Sequence, residues 1–487
     1  MRALLLSTYE LGRQPFGLAS PAAWLRSAGF DVAVADLSRT RLDRDEVAMA
    51  SLVGVFLPMH TATRLALPVL DRVREINAAA HICAYGLYAP ANADLLRARG
   101  VGTILGGEFE ADLVAVARSI SNGDSPPNTG DSPARTGGCP PAPGDSPARD
   151  ASGTVPITRG AVPRLNLIAP DRRGLPPLDR YAALIWPDGT RRVSGYTEAS
   201  RGCKHLCRHC PVVPVYGGRF RVVDPDVVME DVRAQVAGGA QHITFGDPDF
   251  WNGIGHARRV VAAFAREFPG ITYDVTIKIE HLLEHREHLS ELGETGCAFV
   301  TSAVESVDDG LLAKLEKGHT RADFEQAAGE MRAASLPLVP TFVAFTPWTS
   351  LRHYADLVGT VDRLGLIEHV SPVQWSIRLL IPRGSRLLEL EEVRDLVDPF
   401  DPVALAFPWR HPDARMDALQ QRIASIVGNA NGTPRGEIAR AIADEIAAVD
   451  SAVRVPLRAD APSAGVPHVT EPWYCCAEPT EGQAALL

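Results

Sequence analysis

Short apolar segments alternate with helical patterns along residues 1–120, and this alternation constrains the fold most strongly. The apolar segments are RALLLST, DVAVADL, LVGVFLP, HICAYG and TILGG. One helical stretch, SPAAWLRSAGF, is expected to begin with Ser20 as N-cap and Pro21 at the first helical position. Strands that alternate with helices predict a parallel sheet covered on both faces, with ligands bound beyond the carboxyl ends of its strands.

The same alternation resumes near residue 190. Six further segments have strand patterns, namely SGYTEAS, HITFGD, TYDVTIK, AFVTSAV, LPLVPTFVAF and VSPVQWSIRLLIP. Six such units predict a partial or complete (β/α) barrel over residues 196–397, by analogy with the eight-unit barrel. A pre-barrel segment covers residues 161–195. Residues 398–455 have helical patterns. Residues 456–487 are proline-rich and are expected to form an extended tail.

Residues 121–160 differ from both blocks, because Gly, Pro and Ser dominate them and Gly-Asp-Ser-Pro occurs three times. Such a segment cannot contribute to a core, so we predict a disordered linker. The net charge of −10 disfavours broad nucleic-acid binding. No apolar run reaches the roughly 18–20 residues of a membrane span, and the N-terminus lacks the pattern of a signal peptide. A cytoplasmic protein is therefore expected.

Eight cysteines are present, and in a cytoplasmic chain they are not expected to form a disulfide framework. Cys83 and Cys297 lie in apolar strand-like segments and are predicted to be inert core residues. Cys139 lies in the predicted linker and is interpreted as an incidental thiol. The remaining five are clustered, which indicates metal or redox chemistry.

Three of these five, Cys203, Cys207 and Cys210, form C-x₃-C-x₂-C directly after a predicted strand. Three thiolates on one loop can bind three irons of a [4Fe–4S] cluster. The fourth iron then stays open to a substrate or cofactor. A Cys₃His zinc site that includes His205 or His209 is the alternative.

This spacing at the end of a barrel's first strand resembles the radical S-adenosylmethionine (SAM) superfamily. The resemblance implies that the open iron binds the amino and carboxylate groups of S-adenosylmethionine. One-electron reduction then gives methionine and a 5′-deoxyadenosyl radical, which abstracts a hydrogen atom. The resemblance also implies cofactor contacts near predicted strand ends, from His209 (usually an aromatic residue in the family), Gly246, Asp247, Pro248, Glu305, Ser306, Pro382 and Gly384. An isolated Gly-Asp-Pro is a turn more often than a functional site. These residues are therefore predicted as cofactor contacts only because the cysteine loop is also present.

A parallel α/β domain before such a barrel resembles the cobalamin-binding domain of one subgroup of the superfamily. Many of those domains carry D-x-H-x-x-G after the first strand, with the histidine on cobalt. This chain has Ser7, Tyr9 and Gly12 at those positions. Cobalamin bound without histidine and a domain that binds no corrin both stay open.

The expected fold class is α/β. It comprises an N-terminal parallel α/β domain (cobalamin-binding-like, Rossmann/flavodoxin-like), a partial (β/α)₆-type radical SAM barrel, and a helical C-terminal region with an extended tail.

Two adjacent cysteines, Cys475 and Cys476, lie in WYCCAEP near the C-terminus. Consecutive Cα atoms are about 3.8 Å apart, whereas disulfides usually need about 4.4–6.8 Å, so a bridge between them would be strained and easily reduced. With the barrel, this tail resembles the CUAEP/CCAEP-tail radical SAM proteins, some of which carry selenocysteine there. We expect a redox-active catalytic pair that folds back over the barrel mouth. A handle for a partner reductase, a modified substrate and incidental thiols are the alternatives.

Together these features predict a radical SAM enzyme that cleaves S-adenosylmethionine reductively with a [4Fe–4S] cluster. Its substrate is an unknown small molecule or peptide, and its electron donor is a protein such as flavodoxin or ferredoxin. A cobalamin-dependent radical SAM methyltransferase is the alternative among enzymes. A non-catalytic iron–sulfur regulatory or binding protein is the alternative of another class. The acidic balance of the chain disfavours an RNA-modifying role.

Overall fold

The computed structural model describes residues 1–124, 164–430, 432–458 and 465–471. The predicted linker from residue 125 onwards, with Cys139, lies outside the described residues. So do Cys475 and Cys476. The described parts comprise an N-terminal sheet, a curved second sheet and a group of C-terminal helices.

Five parallel strands form the N-terminal sheet, and all five were predicted. They are β1 (Arg2–Ser7), β2 (Asp31–Asp36), β3 (Leu52–Phe56), β4 (His81–Tyr85) and β5 (Thr103–Leu105). Their order, β2-β1-β3-β4-β5, is that of flavodoxin-like folds. The helices of this region are α1 (Phe16–Ser27), α2 (Arg44–Met49), α3 (His60–Ile76), α4 (Ala93–Ala98) and α5 (Glu110–Asn122). Leu4 and Leu5 of β1 belong to two different hydrophobic clusters, so both faces of the sheet are covered.

Helix α1 begins at Phe16, so the prediction that Ser20 caps it and Pro21 starts it was wrong. Pro21 lies inside the helix and has no N–H to donate to the carbonyl of Gly17. The hydroxyl of Tyr85 donates to that carbonyl instead, at 2.9 Å. Ser20 Oγ donates to Glu110 at 2.7 Å and makes no cap. Hydrogen bonds to distant residues thus take the place of the helix-capping interactions that the local sequence predicted.

The remaining strands are β6 (Arg164–Leu165), β7 (Ala183–Ile185), β8 (Arg191–Thr197), β9 (Ser200–Gly202), β10 (Phe220–Val223), β11 (His242–Phe245), β12 (Thr272–Thr276), β13 (Cys297–Glu305), β14 (Leu338–Phe342) and β15 (His468–Val469). Strands β8, β11, β12, β13 and β14 pair in parallel in that order and form a partial barrel. Strands β7 and β15 extend this sheet with antiparallel pairing beyond β8. Strands β6, β10 and β9 form a separate small sheet.

Helices accompany the barrel strands and then dominate the C-terminal region, as predicted. Those of the barrel are α6 (Val213–Tyr216), α7 (Pro225–Ala237), α8 (Ile254–Glu267), α9 (Ile279–Glu284), α10 (Leu289–Glu294), α11 (Asp309–Lys314), α12 (Arg321–Ala333) and α13 (Leu351–Arg363). Those that follow are α14 (Glu391–Leu396), α15 (Ala414–Gly428) and α16 (Arg435–Val449). The predicted fold class is therefore confirmed.

The sixth predicted barrel strand is reduced to one parallel bridge, between Phe345 and Arg378. Its first half contains Pro372–Trp375, which forms a 3₁₀ turn. Proline lacks the N–H that a strand in mid-sheet must donate, so the segment cannot pair along its length. The barrel is consequently partial at this edge.

Residues 465–471 lie against the opposite edge of the barrel. Strand β15 pairs with β7, and Val466 packs with Phe299 and Val339 of the barrel interior. The predicted core residues Cys83 and Cys297 are indeed buried. Among the helices of the described residues, none is long and apolar enough to cross a membrane.

Candidate active site

A cavity of about 390 Å³ lies between the carboxyl ends of the N-terminal strands and those of the barrel strands. The loops after β1 and β3 contribute Leu11, Arg13 and Met59 to its wall. In a sheet of this order, the crevice beside β1 and β3 is where ligands bind. Thr276, Thr301 and other strand-end residues line the barrel side. Both parallel sheets therefore open onto one enclosed space.

A buried ion pair holds the two sides of this cavity together. Arg201, in β9, contacts Glu110 of α5 at 2.7 Å, and their side chains are only 7% and 3% exposed. Burial alone would raise the pKa of Glu110, but the guanidinium of Arg201 outweighs that effect and lowers it. Because each charge would be costly without the other, the pair fixes how the N-terminal sheet sits on the barrel.

The three cysteines of the predicted cluster loop all line the cavity, and none of them is part of a disulfide. They follow β9, after Gly202, whose φ is +79°. A Cβ at Gly202 would lie 2.3 Å from the carbonyl oxygen of Arg219, so only glycine fits where the chain turns into the loop. The loop is thus delivered to the cavity wall by the small sheet, one short strand beyond β8.

Two segments from the far side of the barrel clamp the backbone of the cysteine loop. The backbone N–H of Arg208 donates to Leu315 at 2.9 Å, and its guanidinium donates to Lys314 at 2.8 Å. The guanidinium of Arg386 donates to the carbonyl of Leu206. These contacts hold the loop through its backbone and leave the thiols toward the cavity.

His209 and Glu305, both predicted at the cofactor, are brought together with Lys317, which was not predicted. Glu305 Oε1 is 3.1 Å from His209 Nε2 and 3.4 Å from Lys317 Nζ. Burial would raise the pKa of Glu305, but Lys317 first and then His209 outweigh it and lower the pKa to about 2. The φ of Glu305 is +67°, a conformation that non-glycine residues rarely adopt and that is common at functional sites.

The predicted Gly246-Asp247-Pro248 segment also lines the cavity. A Cβ at Gly246 would lie 1.9 Å from the hydroxyl oxygen of Tyr196, so no larger residue fits there. Asp247 is turned away from the solvent: it accepts the backbone N–H of Ala199 at 3.0 Å and the hydroxyl of Ser200. Burial raises its pKa to about 7. Its side chain ties the second barrel strand to the start of the cysteine loop.

Three predicted cofactor residues lie outside the cavity wall. Ser306 accepts the backbone N–H of Asp308 at 3.0 Å, which stabilises the turn before α11. Pro382 and Gly384 form a turn, with a φ of +77° at Gly384, that leads into the clamp on the cysteine loop. In this structure these residues shape the surroundings of the site.

Comparison with known proteins agrees with this geometry. A family model of the radical SAM superfamily matches residues 197–350. The match covers less than one third of the chain and includes the cysteine loop. A curated relative, the tRNA-2-methylthio-N(6)-dimethylallyladenosine synthase of Desulfosudis oleivorans, is 28% identical over 210 residues. That match covers 41% of this chain and less than half, 44%, of the relative.

Solved structures resemble the chain well beyond residues 197–350. TsrM from Kitasatospora setae, with cobalamin and a [4Fe–4S] cluster bound, is 16% identical with a TM-score of 0.63, over 95% of this chain and 92% of TsrM. OxsB, with aqua-cobalamin bound, is 14% identical with a TM-score of 0.64, over 88% of this chain and 67% of OxsB. At these identities the likeness establishes the fold. The resemblance to the CUAEP/CCAEP-tail proteins stays a prediction.

Two buried lysines beside the cysteine loop were missed from the sequence. Lys317 lies between α11 and α12. Lys278 follows β12, and its ammonium donates to Glu280 Oε2 and to the carbonyl of Lys317, both at 3.0 Å. Lys278 could have been identified from its position just after the carboxyl end of a barrel strand. Both lysines line the cavity next to the cysteine loop.

Tyr9, at the place of the cobalt-binding histidine, points to the C-terminal segment. Its hydroxyl donates to Glu471 Oε1 at 3.1 Å. Gly12, with a φ of +67°, leaves no room for a Cβ beside Glu471, which would be 2.6 Å away. Tyr9 and Gly12 thus hold the last described residue of the chain beside the loop that contributes Leu11 and Arg13 to the cavity.

Proposed function

We propose that this protein is a radical SAM enzyme that binds a [4Fe–4S] cluster on Cys203, Cys207 and Cys210. It would cleave S-adenosylmethionine reductively within the cavity. The observation that carries this proposal is that three thiols, on one clamped loop, line a single cavity at the carboxyl ends of two parallel sheets.

The donor set suits an iron–sulfur cluster. Burial, followed by the nearby Asp249 carboxylate, raises the pKa of Cys203 to about 12, so a thiolate there needs a positive counter-charge. Iron would provide it. Burial would lower the pKa of Lys317. The Glu305 carboxylate, followed by the nearby thiols of Cys207 and Cys210, outweighs burial and raises the pKa. His209 contacts Glu305 through Nε2, so that ring nitrogen is not available to a zinc ion on the cysteine loop.

S-adenosylmethionine bound to the open iron would supply a 5′-deoxyadenosyl radical after one-electron reduction. The chain's own residues would bind and orient it. Gly246 lets the hydroxyl of Tyr196 approach the backbone at the second strand end, and Glu305, held by His209 and Lys317, presents a fixed carboxylate. The enclosed cavity would limit access of water and other quenchers. We expect a one-electron donor such as flavodoxin or ferredoxin and a small-molecule or peptide substrate.

A cobalamin-dependent methyltransferase is the second candidate, and the N-terminal wall of the cavity favours it. Phe56, Met59, Leu87 and Phe109 make that wall largely apolar, which suits a corrin ring. Tyr9 is engaged with Glu471, so a corrin would bind without a ligand from the histidine position. TsrM, which shares the fold over nearly its whole length, is a radical SAM methyltransferase with cobalamin bound.

We also propose that Cys475 and Cys476 act at this cavity as a redox-active pair. The support is the position of Glu471, four residues before Cys475, against Tyr9 and Gly12 at the cavity edge. A chain of four residues reaches at most about 14 Å. Leu11 and Arg13, on either side of Gly12, line the cavity, so the segment that leads to the cysteine pair starts beside its wall.

Anaerobic reconstitution of the full chain with iron and sulfide, followed by S-adenosylmethionine and dithionite, tests the proposal. Formation of 5′-deoxyadenosine supports reductive cleavage. Formation of S-adenosylhomocysteine together with bound corrin supports the methyltransferase. A cluster that consumes no S-adenosylmethionine with any reductant would refute both and favour the non-catalytic binding protein.

A pair of cysteine variants controls this experiment. Cys207→Ala should lose the cluster and all products, because one thiolate ligand of the cluster is removed. Cys297→Ala alters a buried cysteine of β13 that does not line the cavity, and should retain the iron content of the wild type.

A further inference from the structure

One arginine on the cavity wall, Arg13, has no acidic partner among the described residues. Four lysine and arginine side chains of the described residues line the cavity. Three of them contact a carboxylate: Arg201 contacts Glu110, Lys278 contacts Glu280, and Lys317 contacts Glu305, at 2.7, 3.0 and 3.4 Å. The guanidinium of Arg13 forms no ion pair within the described residues, and its Nε is buried without a hydrogen-bond partner. A buried cation is costly unless an anion meets it.

The acidic side chains of the cavity show the same contrast. Five carboxyl groups of the described residues line it, and four of them have partners: Glu198 contacts Arg201, Asp247 contacts Ser200, Asp274 contacts His242, and Glu305 contacts Lys317. Glu10, the fifth, is 7% exposed, and its Oε2 is buried without a hydrogen-bond partner in the described residues. Because buried polar atoms are rarely left unsatisfied, Glu10 and Arg13 are the charged side chains of this wall whose partner a ligand would have to supply.

A tight turn after β1 places Glu10 and Arg13 side by side. The backbone N–H of Arg13 donates to the carbonyl of Glu10 at 2.9 Å, and the two residues between them, Leu11 and Gly12, have φ values of +50° and +67°. Positive φ at both central positions is typical of a type I′ turn, whose end residues have Cα atoms less than about 7 Å apart. Leucine rarely adopts such a φ, and residues that do so are common at functional sites. The two side chains are thus neighbours, yet they do not pair with each other.

The surroundings of the two side chains make both of them hydrogen-bond donors. The Arg13 guanidinium lies 5.0 Å from the centre of the Tyr196 ring, a cation–π contact that orients it and leaves its N–H groups for a ligand. Burial, followed by the carboxylates of Glu198 and Asp36, raises the pKa of Glu10 well above its usual value, which favours the protonated carboxyl group. A protonated carboxyl group donates one hydrogen bond. A positively charged guanidinium and a neutral O–H therefore lie side by side, and both need an acceptor.

We infer that Glu10 and Arg13 bind a carboxylate group of the substrate. A carboxylate accepts hydrogen bonds through two oxygens, so it can accept from Arg13 on one and from Glu10 on the other, and its charge balances that of the guanidinium. Phe56, Met59 and Phe109, on the same wall, would contact the apolar part of the molecule. That this carboxylate belongs to the substrate rests on the proposed function, in which the cavity is the site of the radical reaction.

Binding of 2-naphthoate and 2-naphthamide to the cluster-free full chain tests this site. The two probes share an apolar ring system, but only naphthoate is negatively charged. Equilibrium dialysis of protein without iron or S-adenosylmethionine gives the dissociation constant of each. We expect naphthoate to bind at least about tenfold more tightly, because only naphthoate can form a charge-assisted contact with Arg13. Naphthoate that binds no more tightly than naphthamide would overturn the inference.

Variants at the two residues assign the preference to them. Arg13→Gln should weaken naphthoate binding at least about tenfold and leave naphthamide binding unchanged. Arg13→Lys keeps the charge and should retain part of the preference, and it serves if the glutamine variant does not fold. Glu10→Gln keeps an N–H donor and should bind naphthoate within about threefold of the wild type, whereas Glu10→Ala should weaken it by more than about threefold.

Arg39→Gln is the matched control. Arg39 also lies over a tyrosine ring, that of Tyr181, at 5.4 Å, but it does not line the cavity. This variant should bind both probes as the wild type does. Naphthoate binding that survives Arg13→Gln, or that falls equally in Arg39→Gln, would overturn the inference.

Hydroxocobalamin, titrated in parallel by its absorbance, tests another source of an anionic group, because cobalamin carries a phosphate. Cobalamin binding that falls in Arg13→Gln as much as naphthoate binding does would assign the guanidinium to that phosphate and overturn the substrate assignment. Cobalamin binding that is unchanged or absent would support it. None of these measurements needs S-adenosylmethionine, so failure of its cleavage would bear on the proposed function alone.

Discussion

Replacement of Glu305 by glutamine measures how strongly the buried charges beside the cysteine loop stabilise the barrel. Glu305 is 6% exposed and contacts both Lys317 and His209. Its pKa is lowered from the usual 4.5 to about 2. At 1.36 kcal/mol per pKa unit, that lowering is worth about 3 kcal/mol of folding free energy. Leaving Lys317 buried without its carboxylate is expected to cost a similar amount, about 3–5 kcal/mol.

The sign of the pH dependence follows from the direction of the pKa shift. Because the pKa of Glu305 is lower in the folded than in the unfolded chain, its contribution is fully present above pH 4.5 and is lost as the pH falls toward 2. At pH 7, Glu305→Gln should therefore lower the free energy of unfolding by about 3 kcal/mol. The difference from the wild type should shrink as the pH falls below 4.5.

The assay is urea unfolding of cluster-free protein, followed by tryptophan fluorescence. Trp251 and Trp375 are each 1% exposed within the core around the barrel, so their emission reports on it. Glu392→Gln is the matched control: Glu392 also pairs with a lysine, Lys314, but both side chains are exposed, and such a pair is worth about 0–1 kcal/mol. Equal midpoints for Glu305→Gln and wild type at pH 7, or an unchanged difference at acid pH, would refute the reasoning.

Two further predictions concern the cavity and the tail. Gly246→Ala places a methyl group 1.9 Å from the Tyr196 hydroxyl, and should cost about 1–3 kcal/mol and weaken S-adenosylmethionine binding in equilibrium dialysis. Gly293→Ala, in α10 with open space around its Cβ, should instead leave binding unchanged and stabilise by about 0.5–1 kcal/mol. The Cys475→Ser/Cys476→Ser variant should retain the cluster but lose turnover of the true substrate; full turnover would exclude a catalytic role for the pair.

The cysteine loop could be predicted because all three thiols lie close together in sequence, directly after a strand. The orientation of neighbouring residues could not. Glu305 and Ser306 are adjacent and were both predicted at the cofactor, yet only Glu305 lines the cavity. Its left-handed backbone turns the carboxylate inward, and that conformation cannot be anticipated for a glutamate from sequence patterns. From the sequence, the residue types at these two positions were known, but the directions of their side chains were not.

Sites assembled from distant segments were also beyond the sequence. Asp249, in the turn after β11, lies 2.7 Å from His281 of α9, and neither residue was predicted. The two meet because β11 and β12 are neighbours in the sheet, which places their following segments side by side. Similarly, the end of the sixth predicted strand was recognised as functional, but its role in clamping the cysteine loop through Arg386 depends on tertiary contacts.

The position that a cobalt-binding histidine would occupy contacts the C-terminal segment of the described residues. Tyr9 lies at that position, and its hydroxyl donates to Glu471. A histidine is shorter than tyrosine and would not reach Glu471 with the same geometry. Gly12, at the glycine position of the D-x-H-x-x-G pattern, leaves room for the same glutamate. The loop after β1 therefore holds Glu471 through both residues, and the contact depends on tyrosine at position 9.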